Sequence, residues 1–165
     1  MKFTRKTDYA LRAMQNLARR YYQLGSEGEQ AKPVPVVSIA KGAGLSTRFL
    51  HGIVANLSKA GLLKAIPGPK GGVTLSRNPE KISILEVVEA VEGQINLMEC
   101  FHHPEGCHEA CQCSIMSVLQ TAQNNLIRSL ANANLKLMVQ AKSDPFHALP
   151  ESHFLKPKFG CPVLK

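Results

Sequence analysis

The first strong hydrophobic pattern of the chain spans residues 8–24. Apolar side chains recur there every three or four positions, and arginine and other polar residues fill most of the positions between them. This spacing predicts an amphipathic, basic helix. Residues 25–35 contain glycine, serine, glutamate and two prolines, a composition that ends the pattern and predicts a flexible surface connection.

Two shorter patterns follow, separated by a turn. Residues 37–43 predict a short helix, Gly44-Leu45-Ser46 a turn, and residues 47–60 a second helix capped at Ser46 or Thr47. A short helix, a turn containing glycine and a second helix form the outline of a helix-turn-helix. Gly61 is expected to end the second helix, since glycine tolerates the left-handed conformation found there.

A β-hairpin is predicted next. Residues 62–66 and 73–75 are apolar stretches on either side of a tip with two prolines and three glycines, and the tip carries Lys70. A hairpin directly after a helix-turn-helix is a wing. The predicted fold class is therefore α+β, mainly α with a small β wing. Lys70 is expected to meet a phosphate, and glycines such as Gly71 would let the backbone approach another surface closely.

The second half of the chain predicts two further helices. Residues 82–91 carry a helical pattern that stops at Gly93, and residues 114–141 have leucine and alanine at steps of three or four with no glycine or proline. At 1.5 Å per residue the second of these would be roughly 40 Å long. One small domain cannot cover so long a helix, which implies a partner chain.

These patterns divide the chain into three parts. Residues 1–80 are predicted to form a winged helix-turn-helix domain, residues 81–142 a cysteine loop and a dimerisation helix, and residues 143–165 an irregular tail. The formal charge of +8 and the pI near 9.4 favour a polyanion partner. An acidic membrane surface or an acidic protein would suit the same charge. No apolar stretch approaches the roughly 20 residues of a membrane helix, and no secretory signal is visible, so a cytoplasmic protein is predicted.

Four of the five cysteines fall within fourteen residues, in a segment that also contains Pro104 and Gly106. The four are Cys100, Cys107, Cys111 and Cys113. Proline and glycine favour irregular turns, so the loop can aim several thiolates at one point, and the pattern predicts a metal or iron–sulfur site. The odd total argues against a disulfide framework. Zinc is the open alternative, with His108 as an additional ligand.

Four motifs, in this order, resemble the Rrf-type winged-helix transcriptional regulators. They are the opening segment 3–12, the turn Gly44-Leu45-Ser46, the wing segment 68–72, and three cysteines ahead of a long helix. The resemblance runs to about Leu130. It implies a homodimer that binds a double-stranded DNA operator and carries a 2Fe-2S or 4Fe-4S cluster. The implied function is a transcriptional regulator, a repressor, that senses iron–sulfur status, nitric oxide or redox stress.

The resemblance also implies a set of cluster ligands. The matching cysteines are Cys100, Cys107 and Cys113. IscR-like members have a histidine three residues after the third cysteine, where this chain has Met116. NsrR-like members use the aspartate of the opening motif from the other subunit, which corresponds to Asp8. Cys111 offers a competing thiolate, and Asp8 would also suit a helix N-terminus without any ligand role.

The expected DNA contacts lie on the second helix of the helix-turn-helix and on the wing. They are Ser46, Thr47, Arg48, Phe49, His51, Lys70 and Gly71. Arg48 could donate to a guanine edge, although Arg48 and His51 would equally suit a solvated helix face. No Ser/His/Asp arrangement, phosphate-binding loop or paired-carboxylate motif indicates catalysis, so the protein is predicted not to be an enzyme. A zinc-stabilised regulator without sensing, and a metal carrier or thiol enzyme, are the alternatives.

Overall fold

The computed structural model describes residues 3–23, 32–69, 71–98 and 113–140. The elements are α1 (Arg5–Gln23), α2 (Val36–Ala43), α3 (Thr47–Lys59), β1 (Leu63–Ile66), β2 (Gly72–Leu75), a 3-10 turn (Pro79–Lys81), α4 (Ile84–Glu92), α5 (Ser114–Asn132) and α6 (Leu135–Gln140). The described part of the chain is mainly helical with a two-stranded antiparallel sheet. The predicted fold class is confirmed.

Helix α1 is the centre of the fold. Its apolar stripe buries three alanines together with Met14 and Leu17, and it contacts α2, α3, α4, α6 and β2. The helix begins three residues before the prediction because the Thr4 carbonyl already accepts hydrogen bonds from the backbone N–H groups of Thr7 and Asp8. Neighbouring helices can approach closely because most of the buried stripe consists of small side chains.

The predicted helix-turn-helix is present as α2 and α3. Gly44 ends α2 in the left-handed conformation, with φ at 67°. Ser46 occupies the N-cap position of α3, but its side chain accepts no capping hydrogen bond. The buried face of α3 consists of Leu50, Ile53, Val54 and Leu57, the set that the apolar pattern predicts.

The wing is a short hairpin with a third partner. Strands β1 and β2 pair in register from Leu63 opposite Leu75, and Val34 forms a further antiparallel bridge with Val73. The connection predicted to be flexible therefore reaches the sheet at its C-terminal end. A Cβ on Gly71 would stand 2.1 Å from the Ile66 carbonyl oxygen, and one on Gly72 would stand 2.4 Å from Val34. Close packing within the wing itself is thus a reason for both glycines.

Helix α4 begins with a capping box. The Ser83 hydroxyl accepts from the Glu86 backbone N–H, while the Glu86 carboxylate accepts from the Ser83 backbone N–H. Burial alone would raise the pKa of Glu86, but the bonds from Ser83 and the ion pair with Arg77 hold this pKa below its usual value.

None of the described helices is long and apolar enough to span a membrane.

The predicted helix over residues 114–141 is interrupted. Helix α5 ends at Asn132, so it is about 28 Å long at 1.5 Å per residue. Ala133 is extended; its carbonyl accepts from the Ile84 N–H at 2.8 Å, and the Leu135 N–H donates to the Ile82 carbonyl at 3.0 Å. The Asn134 side chain then accepts from the Leu137 N–H in the first turn of α6. These backbone bonds to the start of α4 replace the helical ones, which is the physical reason for the break.

A substitution at Leu135 tests the break between α5 and α6, because the break directs the Leu135 side chain into the core, where it is fully buried. Leu135→Ala should lower the free energy of unfolding by about 2 to 5 kcal/mol, the usual cost of truncating a buried leucine. Leu137→Ala is the matched control on the same short helix, where the side chain is 52% exposed, and should cost less than about 1 kcal/mol. Denaturant unfolding followed by circular dichroism measures both, and equal losses would contradict the position of α6.

Candidate nucleic-acid interface and cluster loop

The side chains predicted to contact DNA lie mostly on the open side of α3. Ser46, Arg48 and His51 are exposed, Thr47 is half-buried, and Phe49 is 41% exposed although it is a large apolar residue. Of the two wing residues, Lys70 lies outside the described residues, and Gly71 is half-buried immediately before β2. The structure therefore brings the α3 residues together on one surface.

A groove runs along this surface between α3 and the start of α1. The residues that line it are Lys6, Ser46, Arg48, Phe49, Gly52, Ile53 and Asn56. Lys6 and Asn56 are absent from the DNA contacts expected from the sequence. Asn56 follows Arg48 by eight residues, so helical spacing alone would have placed both on one face. Lys6 belongs to another helix, and no pattern in the sequence indicates that it lies beside α3.

Helix α1 supports the exposed end of α3 through two aromatic rings. Tyr9 meets Phe49 edge to face, with ring centroids 5.4 Å apart and planes at 88°. This is a favourable aromatic geometry, commonly worth about 0.5 to 1.5 kcal/mol beyond simple burial. The position of the α3 surface is thus tied directly to the first turns of α1.

The same end of α1 is held from the other direction by Glu92, the last residue of α4. Its carboxylate accepts from the Thr4 backbone N–H at 3.0 Å and from the hydroxyls of Thr4 and Thr7. Burial alone would raise the pKa of Glu92, but these hydrogen bonds, with Lys6 nearby, hold it below its usual value. We call this set of contacts the Glu92 clamp. It joins the segment that leads towards the cysteine loop to the helix that supports α3.

Asp8, the predicted fourth cluster ligand, lies in the first turn of α1. Its carboxylate accepts from the Arg12 guanidinium at 2.8 Å, and roughly half of its side chain is exposed. An acid in this position also interacts favourably with the helix dipole. Asp8 thus has a structural role of its own within one chain, and its ligand role stays a prediction.

Cys113 is the one predicted cysteine ligand that the described residues include; Cys100 and Cys107 lie outside them, as does Cys111. Cys113 is half-buried at the N-cap of α5. Met116, which stands where IscR-like members have histidine, lies in the first turn of the same helix. Within residues 3–23, 32–69, 71–98 and 113–140, no group of three or more His, Cys, Asp or Glu side chains is close enough to hold a metal ion.

Helix α5 also holds the chain just before the cysteine loop. The Leu97 backbone N–H donates to the Gln123 side-chain carbonyl at 2.8 Å, and Gln123 is only 9% exposed. Cys113 occupies the N-cap position of this helix, although its side chain makes no capping hydrogen bond. Both described ends of the loop are therefore fixed to one helix, which limits the distance that the intervening residues span.

Comparisons with known proteins agree with this geometry. A model of the Rrf2 family, described as an iron-dependent transcriptional regulator, matches residues 3–141. The transcriptional regulator IscR of Aliivibrio salmonicida is 34% identical over 113 residues, which cover 68% of this chain but only 62% of that protein. The solved structure of T. potens IscR superposes with a TM-score of 0.63 at 27% identity, covering 84% of this chain and 86% of that one.

A further solved structure, described as CymR, the global cysteine regulator of B. subtilis, superposes with a TM-score of 0.63. The match covers 86% of this chain and 98% of that one at 23% identity. At this level of identity the likeness demonstrates a shared fold and nothing more.

Glu92→Gln tests the clamp through its pH dependence. Because the folded-state pKa of Glu92 lies below its usual value near 4.5, the carboxylate stabilises the fold at neutral pH, and this stabilisation is lost as the pH falls through the folded-state pKa. The variant should therefore lose about 1 kcal/mol of unfolding free energy at neutral pH. The difference from the unsubstituted protein should shrink in acid.

Thermal unfolding at a series of pH values measures this difference. Glu89→Gln, one turn earlier on α4, is the matched control because Glu89 is not part of the clamp. A Glu92→Gln deficit that stays constant from neutral pH down to about pH 3 would show that the carboxylate charge does not stabilise the first turn of α1.

Proposed function

The chain belongs to the Rrf2 family of transcriptional regulators, and we propose that it is a cytoplasmic, homodimeric repressor that senses redox stress, nitric oxide or iron–sulfur status through a cysteine-ligated cluster. The family and its relatives are transcriptional regulators and not enzymes. The observation that carries the proposal is the joining of two features by α1: an exposed basic α3 surface and a clamp to the helix that precedes the cysteines.

DNA recognition is assigned to α3 and the wing. Arg48 is exposed in the first turn of α3, where a guanidinium can donate two hydrogen bonds to a guanine edge in the major groove. Lys6 lines the same groove from α1 and suits a phosphate contact. Lys70 at the wing tip is proposed to hold the adjacent backbone. The net charge of +8 favours this polyanion partner.

The proposed cluster is held by Cys100, Cys107 and Cys113, with Asp8 of the other subunit as the fourth ligand. Cys113 fits this role because it lies at the N-cap of α5, where the described part of the chain resumes after the cysteine loop, and cysteine sulfur is the usual ligand of iron–sulfur clusters. Asp8 fits because its carboxylate is about half exposed, although Arg12 competes for it. When bound, an iron–sulfur cluster supplies a redox-active centre that reacts with oxidants and nitric oxide. A carboxylate is a weaker partner for iron than a thiolate, so Asp8 would be the most readily displaced of the four ligands.

The partner chain is proposed to cover the first turns of α5. Ile115 and Val118 are 65% and 68% exposed there, whereas Leu126, Ile127 and Leu130 further along pack against the core of the same chain. Adjacent exposed apolar side chains on a regular helix are typical of a protein interface. A homodimer formed through this face would pair two α3 helices for two half-sites on one duplex.

The Glu92 clamp provides a route between the two functions. Glu92 ends α4 on the side from which the chain continues towards the cysteines, and it holds Thr7, the neighbour of Asp8. Tyr9 in the next position contacts Phe49 on α3. A change at either Asp8 or the end of α4 would therefore alter the seating of α3, and with it the angle between the two DNA-reading helices of a dimer.

A zinc-stabilised regulator is the second candidate, because four crowded cysteines and His108 also suit a tetrahedral zinc site. The two candidates differ in colour. Protein purified without oxygen should be brown, with thiolate-to-iron absorption, if it holds a cluster. Colourless protein with stoichiometric zinc would establish the zinc form.

Single cysteine substitutions test the ligand set. Cys100→Ala, Cys107→Ala and Cys113→Ala should each lose the visible chromophore and most iron and sulfide after anaerobic reconstitution, because each removes a thiolate ligand. Cys111→Ala should retain both, and Cys161→Ala in the tail is the matched control. Full iron and sulfide in Cys107→Ala, or loss confined to Cys111→Ala, would refute this set.

The fourth ligand is tested with the same reconstitution. Asp8→Ala should keep the iron but shift the visible spectrum, because one ligand of different chemistry has been replaced. Arg12→Ala, which removes the competing guanidinium, is the paired control and should leave the spectrum as it is. An unchanged spectrum in Asp8→Ala would leave that residue with its helix-terminus role only.

Arg48 and Lys70 should affect DNA binding in different ways. Arg48→Ala should cost about 1 to 3 kcal/mol on the preferred duplex and relax specificity at one base pair. Lys70→Ala should weaken binding to all duplexes alike. It should also lower the slope of log affinity against log salt concentration by about one unit. Fluorescence anisotropy across salt concentrations measures both, with Lys59→Ala at the far end of α3 as the control. If neither substitution changes binding to any duplex, α3 and the wing are not the DNA interface.

A further inference from the structure

Gly52 lies in the middle of α3, exposed to solvent, where the fold gives no reason for a glycine. Its own helical backbone and its two neighbours in the chain aside, no atom lies within 4 Å of the position that a Cβ would take, and its φ is not positive. Glycine in a helix interior is less stable than alanine. The other glycines of the described residues either adopt a positive φ or have a neighbour where the Cβ would stand; they are Gly42, Gly44, Gly61, Gly68, Gly71, Gly72 and Gly93.

The surroundings of Gly52 indicate what the open space is for. Arg48 and Asn56 lie one turn before it and one turn after it, so the three residues form a single face of α3. All three line the groove described above, together with Phe49, which is 41% exposed, and Ile53, which is almost wholly buried. The open space over Gly52 is thus bounded by the apolar Phe49 at its side and by polar groups at its two ends.

We propose that this space receives the 5-methyl group of a thymine in the major groove, so that Gly52 sets base specificity by lacking a side chain. The inference rests on the proposed DNA-binding function. Arg48 at one end suits a guanine edge and Asn56 at the other suits an adenine edge, while a thymine methyl requires an apolar contact such as Phe49. Lys6 at the rim of the groove suits the phosphate backbone beside them.

A methyl group fits this position better than a polar base edge does. A donor or acceptor placed directly over Gly52 would face a Cα and the exposed side chain of Phe49, neither of which offers it a conventional hydrogen bond. A methyl group placed there has no hydrogen bond to lose. Burying one methyl group is worth about a three- to five-fold gain in affinity. A Cβ at position 52 would occupy the same volume, so the protein and the DNA cannot both carry the methyl group.

The test exchanges a methyl group between protein and DNA. The full-length protein, purified without oxygen, selects its preferred duplex from a randomised pool, and each thymine of that duplex is then replaced by deoxyuridine. At one thymine in each half-site, this replacement should lower the affinity of the protein for the duplex by about three- to five-fold. Gly52→Ala should bind the thymine duplex no more tightly than the unsubstituted protein binds the deoxyuridine duplex. The variant should also no longer distinguish thymine from uracil at that position.

Three further measurements separate this outcome from a damaged fold. Gly52→Ala should raise the melting temperature by about 1 to 4 °C, because alanine favours the helix. Ala60→Ser, a one-atom enlargement at the exposed C-terminal end of α3 and outside the groove, should bind both duplexes like the unsubstituted protein. Binding of Gly52→Ala to unrelated DNA should also stay within about two-fold, since phosphate contacts dominate there.

The possible failures point to different conclusions. If the unsubstituted protein selects no duplex, the proposed DNA-binding function is wrong and the role of Gly52 falls with it. If it selects a duplex but no thymine is sensitive to loss of its methyl group, only the role of Gly52 is overturned. The role of Gly52 is likewise overturned if Gly52→Ala still distinguishes thymine from uracil, or if the substitution weakens binding to all DNA equally.

Discussion

Burial of the α1 stripe is the interaction on which the rest of the structure depends. Ala10, Ala13 and Ala18 are small enough to let four other helices approach one helix, and Met14 and Leu17 fill the space between them. Helices α3 and α4 contact each other, and both also contact α1. The surface of α3 and the segment that leads to the cysteines are therefore parts of one packed unit.

The contacts at the start of α1 differ in kind from that core. The Glu92 clamp consists of hydrogen bonds near solvent, and Tyr9 meets Phe49 through a single ring edge. Such contacts contribute on the order of 1 kcal/mol each, whereas the apolar stripe behind them contributes several times more. The contacts that hold the start of α1 are thus much weaker than the core behind them. An energy difference of a few kcal/mol is also the scale on which a regulatory equilibrium must operate.

Local patterns in the sequence predicted most of the elements. Helices α1 to α3 and both strands lie within three residues of their predicted bounds, because each has an apolar period and a glycine, proline or cap at its ends. Apart from Asn56, which helical spacing could have placed beside Arg48, the misses depend on contacts between residues distant in the chain. Leucine spacing continues through Asn134 without a break, although the backbone there bonds to Ile82 and Ile84. Similarly, nothing near Lys6 or Glu92 in the sequence indicates which helix each one faces.

The division between core and clamp also bears on the function we propose, which combines reading DNA with responding to a cluster. The residues that would read bases, such as Arg48 and Asn56, keep their mutual spacing because they share one face of α3, whose other face is embedded in the core. A shift at the start of α1 can tilt α3 as a whole but cannot rearrange that face. Base preference would then stay constant while the spacing of the two reading helices changes, and a dimer binds tightly only where that spacing matches its half-sites.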